Sequence, residues 1–132
     1  AMEERLAILE EQGHIVPTRS IIKTPAQIEA IRKSADLNTA VLDHVAAHIH
    51  AGMSTEDIDK LVYDFTTAHG GIPAPLGYEG FPKSVCTSIN NEICHGIPDE
   101  NIILQEGDII NVDVSEWLFF RRISNVLHRQ RI

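Results

Sequence analysis

Hydrophobic and polar positions divide the chain into a short acidic opening, two stretches of helical spacing, and a second half of short alternating runs. Residues 3–12 suit one brief helix closed by Gly13, with Pro17 beyond it. At Thr24-Pro25-Ala26-Gln27 three helix-start signals coincide: Thr at the N-cap, Pro at the first helical position, and Gln three residues after the Thr to complete a capping box. Ile28, Ile31, Ala35, Leu42, Val45 and Ile49 then recur at helical spacing, interrupted at Asn38 and Thr39, and predict a long amphipathic helix to about His50. Ala51-Gly52 ends it. A second helix starts at Ser54, has Asp57 three residues on, carries Ile58, Leu61, Val62 and Phe65 on one face, and stops at Gly70-Gly71.

From Gly71 onward Pro, Gly and β-branched residues take over. Residues 84–89 read as a strand, Asn90-Asn91 as a tight turn that tolerates positive φ, and residues 92–95 as the returning strand, together a β-hairpin. Gly107-Asp108 is a second turn. Residues 109–115 follow as a strand with Ile110, Val112 and Val114 facing one way and Asn111, Asp113 and Ser115 the other. The predicted fold class is α/β (α+β): two helices packed on one face of a small, partly antiparallel sheet.

A length of 132 residues suits one compact domain with a core of its own. With 43% hydrophobic and 23% charged residues, the chain reads as ordinary globular protein. No apolar run is long enough to cross a bilayer, and Glu3, Glu4, Glu10 and Glu11 have the wrong sign for the start of a signal peptide. The expected compartment is therefore the cytosol, with no membrane partner. Ala1 ahead of Met2 reads as a non-native leader residue. Cys86 and Cys94 lack a CxxC pattern, so reduced thiols are expected. A net charge of −8 argues against nucleic acid as a partner, because a polyanion needs a basic surface. Charge is unevenly placed, however. Four of the 11 Lys and Arg residues (Arg121, Arg122, Arg129, Arg131) fall in the last dozen positions, and beyond Asp113 there is one Glu and no Asp.

Asp113 is the most informative single residue. A carboxylate within an apolar strand costs several kcal/mol in desolvation unless it is neutralised, and a metal ion neutralises it well. The strand pattern alone favours a plainer reading, in which Asp113 shares a solvated face with Asn111 and Ser115. His95 precedes Gly96-Ile97-Pro98, a loop able to hold an imidazole at the mouth of a cleft, yet a lone His is more often packed or solvated than catalytic.

Longer motifs change that balance. The segments Leu76-Gly77-Tyr78-Glu79-Gly80-Phe81-Pro82-Lys83-Ser84-Val85-Cys86-Thr87-Ser88-Ile89-Asn90, Glu92-Ile93-Cys94-His95-Gly96-Ile97-Pro98 and Gly107-Asp108-Ile109-Ile110-Asn111-Val112-Asp113-Val114 closely resemble type I methionine aminopeptidases. The resemblance runs from about Ile22 to Ser115 and sets the chain apart from aminopeptidase P and creatinase relatives of the same fold. It implies the first half of a "pita-bread" fold whose two pseudo-symmetric halves hold two divalent ions of the Co, Mn, Fe or Zn type. Such a site removes the N-terminal Met of peptides and nascent proteins. By motif, Asp113 resembles the first bidentate metal ligand, and His95 the histidine that contacts the scissile peptide. Tyr78, Phe81 and Cys86 match positions lining the pocket for the methionine side chain; without the motif, ordinary packing explains all three. Phe81 stands where Tyr is common and Pro75 where Cys is common.

The resemblance stops after Ser115. The family continues to a second Asp ligand, a His and two Glu ligands, whereas this chain continues Glu116-Trp117-Leu118-Phe119-Phe120-Arg121-Arg122, leaving Glu116 and His128 as the only further candidate ligands. Three regions result: an extension over 1–22, an aminopeptidase-like half-domain over 23–115, and a divergent tail over 116–132. A single Asp cannot hold two ions against water. The chain alone is thus expected to be inactive; the alternative is a non-catalytic half-domain that binds a partner or itself. An exposed apolar sheet face, with Leu118, Phe119 and Phe120 added, would favour a homo-oligomer.

Overall fold

The computed structural model describes the backbone of residues 2–118 and 121–131, with side chains for residues 2–118. Helix α1 spans Met2–Glu11 and buries no residue. Helix α2 spans Pro25–His48 and opens on the expected capping box: the Thr24 side chain accepts from the Gln27 N–H at 3.2 Å, and Gln27 Oε1 accepts from the Thr24 N–H at 3.0 Å. Helix α3 spans Thr55–Ala68 and repeats the device with Ser54 and Asp57.

The buried face of α2 includes Leu42 and Val45 of the expected stripe, with Ile49 packed against the core, and extends beyond it. Ser34, Leu37, Asn38, Val41, Leu42 and Val45 face inward, while Ile28 is exposed. Ile31 and Ala35 are half-buried, so the start of α2 buries less of its apolar stripe than the middle. Asn38, read as an interruption, is fully buried, and neither of its amide atoms has a partner among the described residues. On α3, Ile58 and Val62 enter the core, with Leu61 and Phe65 packed at its margin.

Strands β1 (Ile72–Pro73), β2 (Val85–Ile89), β3 (Ile109–Leu118) and β4 (Arg121–Arg131) form one sheet in which every pairing is antiparallel. Strand β3 is its axis. On one edge β2 pairs with residues 110–114 and β1 with Glu116 and Trp117, while β4 pairs along the other edge from Ile109 to Leu118. The strand expected over 109–115 is therefore longer, and the tail that carried no expected element forms its partner. Side chains of β3 alternate as expected: Ile110, Val112 and Val114 join Val85, Leu104 and the α2 and α3 residues in the core.

The expected hairpin over 84–95 does not form. Asn90 turns in the left-handed region (φ 52°), but its N–H donates to the Ile109 carbonyl and its Oδ1 accepts from the Ile109 N–H, which ties the turn to β3. Residues 92–95 are not strand; the segment meets β2 through the Thr87 N–H, which donates to the Gly96 carbonyl at 2.9 Å, and the Gly96 N–H, which donates to Ser88 Oγ at 3.2 Å. His95 at φ 58° breaks any continuing ladder. Leu118 lies within the described residues; Phe119 and Phe120, named with it as apolar surface, lie outside them, as does the side chain of His128.

Candidate active site

The polar face of the sheet and two loops enclose a cavity of about 460 Å³. It brings together all five residues singled out from the sequence: Tyr78, Phe81, Cys86, His95 and Asp113. Pro75, Glu79, Gly80, Ile97 and Ser115 complete the lining. The volume falls within the range of small-molecule sites.

Each element places its residue for a local reason. Asp113 and Ser115 reach the cavity because alternate β3 residues point away from the helices. Cys86 is the residue directly opposite Asp113 on β2. Burial first, and the negative charge of Asp113 second, push the Cys86 thiol above its ordinary pKa, so it remains a neutral, polarizable wall. Tyr78 and Phe81 come from a single 3₁₀ turn over Tyr78–Gly80. Gly77 enters that turn at φ 79°, a conformation that favours glycine, and its N–H donates to the Phe81 carbonyl at 2.8 Å. Phe81 is half-buried, whereas Tyr78 is exposed.

His95 stands exposed at the cavity mouth, held by its neighbour Gly96. A Cβ on residue 96 would overlap the Thr87 carbonyl oxygen and the Glu92 carboxylate and lie 2.8 Å from the Thr87 carbonyl carbon. Only glycine lets this loop press against β2. The start of β2 is fixed from below: Asp59 Oδ1 accepts from the Ser84 N–H at 2.6 Å, and Lys83 pairs with Glu56.

Glu116, a further candidate ligand, is not in the cavity. Its position on β3 turns it toward the helix layer, where it is 2% exposed, takes a hydrogen bond from Thr66 and lies near His69. Its Oε1 has no partner among the described residues. Burial raises its pKa to about 7, against the smaller opposing effects of Thr66 and His69.

A two-ion centre does not fit the residues present. The cavity offers carboxylates from Asp113 and Glu79, one imidazole and one thiol. Among the described residues no three His, Cys, Asp or Glu side chains converge as a metal site. Sequence reasoning missed Ser115, Glu79 and Ile97 as lining residues. Ser115 was recoverable from its parity with Asp113; Ile97 depends on the loop path, which local sequence does not encode.

The helices on one face of this sheet and the cavity on the other define part of a pita-bread fold. The profile of metallopeptidase family M24 matches residues 29–115, and the chain belongs to that family. It is 53% identical over 89 residues to methionine aminopeptidase A of Synechocystis, covering 67% of this chain and 35% of that one. It is 52% identical over 94 residues to methionine aminopeptidase 1A of Arabidopsis thaliana, covering 71% and 23%. Among solved structures, methionine aminopeptidase from Rickettsia prowazekii superposes with a TM-score of 0.71 at 42% identity, over 74% of this chain and 39% of that one. The chain thus spans about a quarter to a third of the length of these two curated relatives. Among the described residues, no helix is long and apolar enough to cross a membrane.

Proposed function

We propose that the cavity is one side of a methionine aminopeptidase site, carrying the methionine pocket and a single metal-binding carboxylate. The observation that carries this reading is the meeting of Tyr78, Phe81, Cys86, His95 and Asp113, drawn from four separate segments, around one cavity. Phe81, Tyr78 and the neutral Cys86 thiol make an apolar, polarizable wall suited to an unbranched thioether side chain. In this reading His95, exposed beside the cavity, donates to or accepts from the peptide, and Asp113 contributes one carboxylate to a divalent ion of the Co, Mn, Fe or Zn type. Residues 23–115 carry this part, with 1–22 as an extension and 116–132 as a tail. Free Cys86 and Cys94 suit a reducing compartment such as the cytosol.

Asp113 and Glu79, which do not form a three-ligand cluster with any described residue, do not hold two ions, so the chain alone binds the substrate side chain without hydrolysing the peptide. A Met-Ala-Ser peptide, titrated into the ¹⁵N-labelled chain, is expected to shift the amides of Phe81, Cys86 and His95. An Ala-Ala-Ser peptide giving the same shifts would show that the cavity does not select methionine.

A second reading is a self-associating half-domain. It is favoured by the apolar side chains left exposed at and around the cavity: Leu76, Tyr78, Ile93 and Ile97, with Ile93 87% exposed. Sedimentation velocity decides it. A concentration-dependent dimer supports self-association; a monodisperse monomer counts against it.

A further inference from the structure

Three imidazoles and a phenyl ring form a column along α2 and α3. His48 lies on His44 with ring centroids 4.3 Å apart, His44 stacks on Phe65 at 4.6 Å, and Phe65 stacks on His69 at 4.1 Å. Phe65 separates His69 from the other two, so only His44 and His48 can share an ion. They stand four residues apart on α2, the spacing that puts two imidazoles on one helical face.

Both rings are held in place, His48 by the backbone and His44 by a ring neighbour. His48 Nδ1 lies 2.7 Å from the His44 carbonyl oxygen. A carbonyl only accepts, so Nδ1 carries the proton and Nε2 keeps its lone pair. Histidine ligands in metal sites are oriented by this same backbone hydrogen bond. The His44 ring is fixed by Phe65, which reduces the rotamer freedom lost on binding. Beside the pair, a groove of about 530 Å³ is lined by His48, His50, Asp57, Lys60 and Asp64; Asp57 is held by the Ser54 N–H and hydroxyl and lies near Lys60, which leaves the two imidazoles as the donors that decide binding.

We propose that His44 and His48 bind one divalent cation of the zinc or copper type at the outer surface of the helix layer. Imidazole donors favour such ions over magnesium or calcium. Water fills the remaining positions, since no third side chain converges there among the described residues. The sheet lies between this pair and Asp113, so the two sites are separable.

The test is a Zn(II) titration of the 132-residue chain at neutral pH, read by calorimetry and by ¹⁵N shifts of the imidazole nitrogens. One ion is expected to bind with shifts at His44 and His48, and to do so equally in an Asp113→Asn variant. His48→Gln is expected to weaken binding by about tenfold or more. His69→Gln is expected to leave the affinity unchanged. His48 is exposed and replaceable, and the shift readout needs no variant at all. Unmoved His44 and His48 nitrogens, or undiminished binding in His48→Gln, would overturn the proposal.

Discussion

Cys86 and Asp113 are directly opposed across β2 and β3, and both line the same cavity. Their pairing joins the residue most suited to touch a thioether with the residue most suited to hold a cation. It also has a chemical signature. Burial and the Asp113 charge disfavour the Cys86 thiolate, and the thiolate is the reactive form. Iodoacetamide is therefore expected to modify the exposed Cys94 well before Cys86, with Cys86 reacting faster in Asp113→Asn. Equal rates at both cysteines, read by mass spectrometry, would show that Cys86 is not so enclosed.

Glu116 gives the fold a pH dependence whose sign follows from its raised pKa. The folded state favours the neutral carboxyl, so this contribution to stability is fully present below an unfolded value near 4.5. It declines as pH rises toward about 7 and changes little above that. The span corresponds to roughly 3 kcal/mol at most. Glu116→Gln is expected to stabilise the chain at mildly alkaline pH by up to that amount and to change little in acid. Urea midpoints that stay parallel for the two proteins across this range would contradict the assignment.

Gly96 is expected to be the least replaceable glycine near the cavity. Gly96→Ala forces the loop away from the Thr87 carbonyl, with a cost of about 1–3 kcal/mol for the clash. The displaced loop also carries His95 from the cavity mouth. Chemical denaturation gives the cost, and the His95 imidazole shifts report the displacement. A variant of unchanged stability would mean that the contact with β2 is dispensable.

The two capping boxes differ in burial, and their substitutions should differ accordingly. Thr24→Ala removes an exposed cap and is expected to cost about 1 kcal/mol. Ser54 is 7% exposed, and its loss also strips a hydrogen bond from Asp57 Oδ2 in a partly buried setting, so Ser54→Ala should cost more. Equal midpoint shifts in thermal melts would remove that distinction.

What the sequence revealed and what it concealed divide along physical lines. The start of α2 was legible because Thr24, Pro25 and Gln27 act within one turn. The orientation of Asp113 was legible because strand parity needs only its neighbours. The stripe of α2 was legible at Leu42, Val45 and Ile49 but incomplete, because the buried polar residues Ser34 and Asn38 mask the helical spacing that Leu37 and Val41 continue. The hairpin failed because Asn90 bonds to Ile109, a choice made by residues nearly twenty positions away. Strand β4 was unread because an arginine-rich segment shows no clear alternation, and only its partner β3 defines it. The cavity residues were named through family resemblance; their convergence is a property of the folded chain.

In the function proposed here, the cavity holds a methionine aminopeptidase pocket with too few ligands to run the reaction. That reading is tested most directly by incubating the purified chain with a Met-Ala-Ser peptide and Co(II) or Mn(II), and measuring free methionine. The account predicts no release above that of peptide and metal alone. Sustained turnover that disappears in the Asp113→Asn variant would contradict it.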